Sequence, residues 1–422
     1  MAAAILRGGY TWLLRLLLPV LLLRLLWRGR RQPAYRHRLG ERLGFAPRLP
    51  RARRLWVHAV SVGEVIAAVP LIRAWQARFP GEAVLVTTTT PTGMEEVARR
   101  LGGEVDHRYL PLDLPGAVGR FLDRCPADRL LVMETELWPN LYRACRRRGV
   151  PVMLVNARLS ARAFRGYARL RPLLRATLAD TALIAARETE DAERFRALGA
   201  ASGRVQVVGN LKYDLCLSAA VRQAARDLRR ALGERPVWIA ASTHEGEEEA
   251  LLEAHIRLRR SQPDALLILV PRHPERFEAV ARLCQGAGLP TVRRSAGGLP
   301  GAEAAVWLGD TMGELLTLCG AADVAFLGGS LVPVGGHNPL EPAAHSVPVI
   351  TGPHVFNFEA VYAALEAQGG VRRVADVGEL AGALAALLGD AAAREGLAAG
   401  ASRVLKANRG AVDRLVDRAA GL

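Results

Sequence analysis

Nowhere in these 422 residues do two cysteines stand in a C-x-x-C spacing. The five present, Cys125, Cys145, Cys216, Cys284 and Cys319, are odd in number and far apart, which excludes a disulfide framework and a thiolate zinc site. They read instead as buried thiols in a reducing compartment. There is also no H-E-x-x-H, and no Asp-x-Asp of the kind with which many nucleotide-sugar enzymes hold a divalent cation. His337 and Glu341 stand four apart without either motif, so the histidines read as polar contacts, and neither metal nor cofactor is expected. A Lys/Arg stripe interleaved with aromatics is missing too. The net charge of +16 is concentrated in residues 1–54, which carry thirteen Arg, no Lys and the single acid Glu41. The remaining body is nearly neutral, which argues against nucleic-acid binding.

What the chain does have is hydrophobic mass: half its residues are apolar, and its length exceeds one ordinary core, so about two domains are expected. "YTWLLRLLLPVLLLRLLWRG" gives an apolar stretch from Tyr10 to Trp27, interrupted by Arg15, Pro19 and Arg24. Both arginines lie toward the ends, where they can snorkel. Their nine-residue separation puts them on opposite helix faces, a poor fit to a one-sided amphipathic helix. Arg within the apolar run and the lack of a following A-x-A site argue against a cleaved signal peptide. The reading adopted is a membrane anchor or deeply inserted helix, with a buried helix of the body as the alternative. Arg28, Arg30, Arg31, Arg36, Arg38 and Arg42 follow the stretch and only Arg7 precedes it. This bias expects the body on the cytoplasmic side of the membrane, with the arginine cluster meeting anionic lipid.

From Leu55 onward, β-branched runs alternate with stretches of helical period. "LWVHAV", "AVLVTTTT", "RLLVME", "VPVMLVNA", "TALIAA" and "VQVVGN" predict the strands of a first half; "PVWIAAST", "ALLILVPR", "AAVWLGD", "ADVAFLGG" and "VPVITG" predict those of a second. Strands without polar alternation, each followed by a helix, indicate parallel sheets covered on both faces. The fold class expected is therefore α/β, with two Rossmann-like doubly wound domains. The division expected is a basic anchor segment over 1–54, an N-terminal domain over 55–215, a helical linker over 216–233 and a C-terminal domain over 234–422, whose last helix would return to the first domain. Ligands in such sheets bind beyond the carboxyl ends of the strands.

The chemistry-bearing residues fall at those ends. Ser61-Val62-Gly63-Glu64 opens a helix after the first strand and fits a capping box, a spacing repeated at Thr92–Glu95, Ser242–Glu245 and Thr311–Glu314. The competing reading makes Glu64 a base, held ionised by the helix dipole and local N–H groups. "METELWPN" places Glu134 and Glu136 after a strand, as catalytic acids or as a salt-bridged helix start, and "VGNLKYD" offers Lys212, as a site cation or a solvated one. In the second half "LVPRHPERF" ends a strand on Arg272 and His273, and Arg at such a place can grip a phosphate. "LGDTMGEL" supplies a Gly-bearing helix start. "GGSLVPVGGHNPLEP" adds glycines that admit close approach and Glu341, suited to a ribose diol. Together these favour a bound nucleotide.

The ordered set "WVHAVSVGEV", "TTTTPTG", "METELWPN", "LVNARLS", "GNLKYD", "ASTHEGEEE", "LVPRHPERF", "GDTMGEL" and "GGSLVPVGGHNPLEP" resembles the 3-deoxy-D-manno-octulosonic acid (Kdo) transferases of lipopolysaccharide synthesis. The resemblance implies a GT-B type glycosyltransferase, two domains facing across a cleft, which moves Kdo from CMP-Kdo to a lipid A precursor with inversion. It further implies Glu64 as general base and Glu134 and Lys212 as transition-state supports. Pro271, Arg272 and His273, then Met312, Gly313 and Glu314, then Asn338, Pro339, Leu340 and Glu341 would hold CMP. The alternatives carried beside it are a membrane-associated transferase using another nucleotide sugar and a tethered nucleotide-binding protein without catalysis.

Overall fold

The computed structural model describes residues 2–215 and 217–422; Cys216 lies outside them, and the other four cysteines are free and buried. The chain forms two compact units, Met1–Asp214 with Arg409–Leu422, and Leu215–Asn408. The helix Ala219–Leu232, expected within a linker, is part of the second unit.

The first unit is built on a seven-stranded sheet of β1 (Arg54–His58), β2 (Ala83–Thr88), β3 (Asp106–Tyr109), β4 (Arg129–Met133), β5 (Val152–Ala157), β6 (Leu183–Ala186) and β7 (Val205–Val207). The order is β3-β2-β1-β4-β5-β6-β7, with every pairing parallel. Both faces are covered, so alternate residues of β1 enter different cores: Trp56 packs with Phe121 on one side, while Leu55 and Val57 pack with the helix Val62–Arg78 on the other. His58, fully buried at the strand end, places Nδ1 within 3.0 Å of Thr87 Oγ1, and burial pushes its imidazole down to about 4.

The second unit repeats the plan with β8 (Val237–Thr243), β9 (Leu266–Pro271), β10 (Thr291–Arg293), β11 (Val306–Leu308), β12 (Val324–Leu327), β13 (Val349–Thr351) and β14 (Arg372–Arg373), ordered β10-β11-β9-β8-β12-β13-β14. Three strands were not expected from the sequence: β3, β10 and β14. All three are edge strands whose residues, apart from the buried Tyr109 at the end of β3, are half-buried or exposed, so they carry no apolar run.

In both sheets the strand order reverses at the centre, between β1 and β4 and between β8 and β12. A crevice opens at such a switch point because successive crossovers depart in opposite directions.

The helix Ala411–Ala420 belongs to the first unit, where Ala411, Val412, Leu415, Val416 and Ala419 join the core beside the helix Val62–Arg78. Its start is held by Asp214, whose carboxylate accepts from the N–H of Gly410 (2.6 Å) and Val412 (2.5 Å). Asp214→Ala strands two donors, and we expect it to cost about 1–3 kcal/mol. Limited proteolysis should then cut near Arg409 much faster than in the parent; an unchanged rate would show that apolar packing alone retains the helix.

The helix Ala2–Arg31 includes a segment, Ala4–Arg30, long and apolar enough to cross a membrane, with an 18-residue window of mean hydropathy 1.6. It is not the buried core helix considered as the alternative, since Trp12, Leu16, Leu23 and Trp27 are exposed. Its early turns pack on the rest of the first unit: Arg7 pairs with Asp180 at 3.1 Å and Thr11 hydrogen-bonds the Asn140 side chain. The arginine cluster that follows is only partly available to lipid, contrary to expectation. Arg38 is held by Glu41 (2.8 Å) and the His107 carbonyl (2.7 Å), and Arg42 is buried over the Tyr109 ring while donating to the Thr89 carbonyl.

Candidate active site

In the first unit the sheet's switch point carries Glu64 after β1 and Glu134 after β4. Glu64 occupies the first turn of the helix Val62–Arg78, with Ser61 as N-cap. Its Oε2 accepts from the Val60 N–H at 2.8 Å and its Oε1 accepts from the Ser61 hydroxyl at 3.2 Å. The reach-back half of a capping box is therefore present, one residue earlier than the usual target, while the Ser61 side chain makes no cap bond to the helix.

The other three spacings do not form such boxes. Thr90, not Thr92, caps the helix Pro91–Leu101 by accepting from the Gly93 N–H. Ser242 lies inside β8, and the carboxylate that reaches back there is that of Glu247 rather than Glu245. At Thr311–Glu314 the hydroxyl donates to the Glu314 carboxylate, which a bidentate Arg294 also holds. Repetition of the spacing was thus a poor guide, because a cap depends on where the strand ends.

The charge state of Glu64 also differs from the sequence expectation. Burial pushes the carboxyl up to about 7, and the neighbouring Glu134 and Glu136 push in the same direction, outweighing the hydrogen bond from Val60. Glu136 is likewise pushed to about 7 by burial and by Glu134. Neither Glu134 nor Glu136 opens the next helix, which begins at Pro139. Glu134 instead sits in left-handed backbone, φ 56°, at the end of β4. That conformation costs a non-glycine residue of order 1 kcal/mol and is found where local geometry is set for a ligand. Lys212 belongs to the same cluster. It is half-buried, and burial lowers its ammonium pKa, with Arg187 adding to that and Glu134 opposing it. A carboxyl poised near neutrality beside a second acid and a cation can accept a proton from a hydroxyl and stabilise the charge that moves.

In the second unit the switch point is occupied by the residues after β8 and β12. Glu247, with no exposed surface, joins the two: Oε1 accepts from the N–H of His244 (2.8 Å) and of Gly329 (2.6 Å), and burial holds its carboxyl up to about 7. Gly329, Gly335 and Gly336 have φ of 65°, 107° and 72°, and the last two N–H groups both donate to the Gly329 carbonyl. This folds residues 328–337 into a tight loop ending beside His244. The rings of His244 and His337 stack with Nε2 atoms 2.8 Å apart, and His273 meets His244 edge-on. Burial and the nearby Arg272 lower the His337 imidazole to about 4.

Of the residues expected to bind nucleotide, Pro271 ends β9, and Arg272 and His273 follow it, exposed, with the Arg272 N–H bonded to the Thr243 carbonyl. Met312 is largely exposed, Gly313 has φ 87°, and Glu314 is the N-cap of a five-residue helix, Leu315–Cys319. Asn338 reaches Glu341 at 3.4 Å and also caps the Leu340 N–H. Pro339 precedes the helix Leu340–Ala344, in which Leu340 is buried. All three groups follow strands of one sheet at its carboxyl edge. The residue sequence reasoning missed is Glu247. Its signal was present in "HEGEEE", where the spacing argument selected the wrong one of four glutamates.

Two parallel doubly wound units with polar groups at their switch points place the chain in the GT-B class of folds. A solved structure of the same kind is the UDP-GlcNAc 2-epimerase from Neisseria meningitidis bound to UDP-GlcNAc, with a TM-score of 0.58 over 86% of this chain and 98% of that one; at 13% identity the likeness is one of fold alone. Residues 37–215 match the family model described as 3-deoxy-D-manno-octulosonic-acid transferase (kdotransferase). The chain is 43% identical over 415 residues to the 3-deoxy-D-manno-octulosonic acid transferase of Haemophilus influenzae, covering 97% of each. It is 41% identical over 428 residues to that of Bordetella pertussis, covering 97% of this chain and 98% of the relative. The chain therefore belongs to the Kdo transferases, glycosyltransferases of lipopolysaccharide biosynthesis.

Proposed function

We propose that the protein transfers Kdo from CMP-Kdo to a lipid A precursor of the lipid IVA type, with inversion and release of CMP, at the cytoplasmic face of the inner membrane. The observation that carries the reading is the carboxyl of Glu64, held at a strand end and pushed up to about 7. A base is most effective when its pKa lies near the working pH. In the reaction the acceptor hydroxyl gives its proton to Glu64 and forms the new bond to the Kdo anomeric carbon. The bond from that carbon to the phosphate oxygen breaks, and CMP leaves with the electron pair. Charge grows on the phosphate as the sugar gains oxocarbenium character, so donors fixed around the phosphate act mainly on the transition state. Glu134 and Lys212 support the sugar side. Arg272 with its neighbours Pro271 and His273, the Met312–Gly313–Glu314 turn and the Asn338–Pro339–Leu340–Glu341 stretch hold CMP.

Incubation with CMP-Kdo and lipid IVA followed by product mass tests donor and acceptor together; a product lacking Kdo, or tighter binding of UMP or UDP than of CMP, would overturn the reading. Arg272→Ala removes an exposed guanidinium without touching the core, so the fold should persist. CMP affinity should fall about ten- to hundredfold, the worth of a charge-assisted contact to phosphate. Calorimetric titration with CMP measures it, and unchanged affinity would take Arg272 out of the site.

A further inference from the structure

A cavity of about 630 Å³ in the first unit lies between the helix Ala2–Arg31 and the helix Pro139–Arg147. Five arginines line it, Arg7 and Arg15 from the former helix, Arg143 and Arg147 from the latter and Arg148 at its C-cap, and no carboxylate does. Acids outside the lining set three of these side chains in place. Asp180 holds Arg7 at 3.1 Å and Arg143 at 3.5 Å, and Asp123 holds Arg148 at 2.7 Å. That arrangement still leaves the buried Nε of Arg7 and of Arg143 without a hydrogen-bond partner. Buried donors without acceptors are costly, and convergent guanidinium groups of fixed geometry suit the oxygens of a phosphate.

The surroundings indicate which phosphate. Trp12, whose ring carries the Arg15 guanidinium at 5.3 Å, also lines the cavity, and on the same helix Leu13, Leu16, Val20 and Leu23 are more than half exposed. A cationic cavity with Trp12 in its wall, on a helix that further along presents uncovered apolar side chains, matches an amphiphile with its headgroup in the cavity and its acyl chains along the helix. We propose that this cavity binds the headgroup phosphate of an anionic bilayer phospholipid. It is separate from the Arg28–Arg42 cluster, in which Arg38 and Arg42 are already committed to protein partners.

The test is co-sedimentation of the full chain with phosphatidylcholine vesicles containing or lacking phosphatidylglycerol. Arg15 and Arg147 are exposed, so Arg15→Gln with Arg147→Gln should fold normally, which the melting temperature checks. At about fivefold per basic residue near a membrane surface, the double variant should lose roughly thirtyfold of its phosphatidylglycerol-dependent affinity. Arg226→Gln with Arg230→Gln, exposed on a helix of the second unit, removes the same charge and should lose little. Equal losses in the two double variants, or none in the first, would overturn the proposal. So would a loss confined to vesicles carrying a phosphorylated glycolipid in place of phosphatidylglycerol, or equal affinity for free inorganic phosphate. Vesicle binding is read without a transfer assay, so the result is independent of the donor and acceptor proposed above.

Discussion

Glu64→Gln should lower the rate of Kdo transfer by about 10²–10⁴-fold, the usual contribution of a positioned general base, while leaving CMP affinity within a factor of two or so of the parent. Gln keeps the shape: its one oxygen can still accept from the Val60 N–H, and its amide N–H can donate to the Ser61 hydroxyl where the second carboxylate oxygen accepted, so what is removed is chiefly the capacity to take a proton. In the parent, turnover should rise as pH passes about 7, where the Glu64 carboxyl loses its proton, and the residual activity of the variant should lack that limb. The same substitution has a signature in stability. Because the folded-state pKa is raised above that of the unfolded chain, the folded protein binds the extra proton between the two values. The associated stability is fully present below the ordinary carboxylate range and is lost as pH rises through about 7. A permanently neutral Gln escapes that loss, so the variant should be more stable than the parent at pH ~8, by about 1–3 kcal/mol, and level with it near pH ~4. Denaturant melts at the two pH values measure the difference. Turnover retained by a well-folded variant would return Glu64 to the role of a helix-start carboxylate.

Gly328→Ala should damage the second unit's site more than any exposed substitution. A Cβ there would lie 2.5 Å from the Ser242 carbonyl oxygen and 2.7 Å from both the Thr243 Cα and the Glu247 carboxylate. Two of these are backbone atoms of the central strand β8 and cannot swing aside. The loop must move instead, breaking the hydrogen bond from the Gly329 N–H to Glu247 and leaving a buried carboxylate short of a donor. Overpacking of this kind costs about 1–3 kcal/mol, and the stranded carboxylate adds to it. We expect a lower melting temperature and a fall of about tenfold or more in CMP affinity. Gly313→Ala is a useful contrast: no atom lies within 4 Å of its Cβ position, and only its φ of 87° opposes the change. Equal CMP affinities for parent and Gly328→Ala would show that the Gly-rich loop does not shape the nucleotide site.

How far the site could be seen in advance depended on where each residue stands along the chain. Glu64, Glu134 and Arg272 each follow an apolar strand, so the end of the run marks them. Glu247 is also beyond a strand end, but it lies among four glutamates. Glu247 and Glu248 are both buried, and what singles out Glu247 as the one that joins the two strand ends is the approach of Gly329 across 82 residues of sequence. The same limit applies to charge. Counting arginines placed a basic cluster at residues 28–42, whereas packing withdrew Arg38 and Arg42 into the body and gathered Arg143, Arg147 and Arg148 with Arg7 and Arg15.

Two parallel sheets were determined by the sequence itself, because strands buried on both faces must be apolar throughout, and that pattern survives without any knowledge of neighbours. The edge strands β3, β10 and β14 were not, since a half-covered strand tolerates Asp106, His107 or Arg372 and leaves no run to read. Only the tertiary structure decided that Glu64 would be raised toward neutrality rather than held ionised. The local N–H groups that favour its charge are written beside it in the chain, but the burial and the Glu134 and Glu136 carboxylates that oppose it arrive with β4, some seventy residues on. Proton affinity is set by everything within a few ångströms, and distance in space is what a linear sequence does not record.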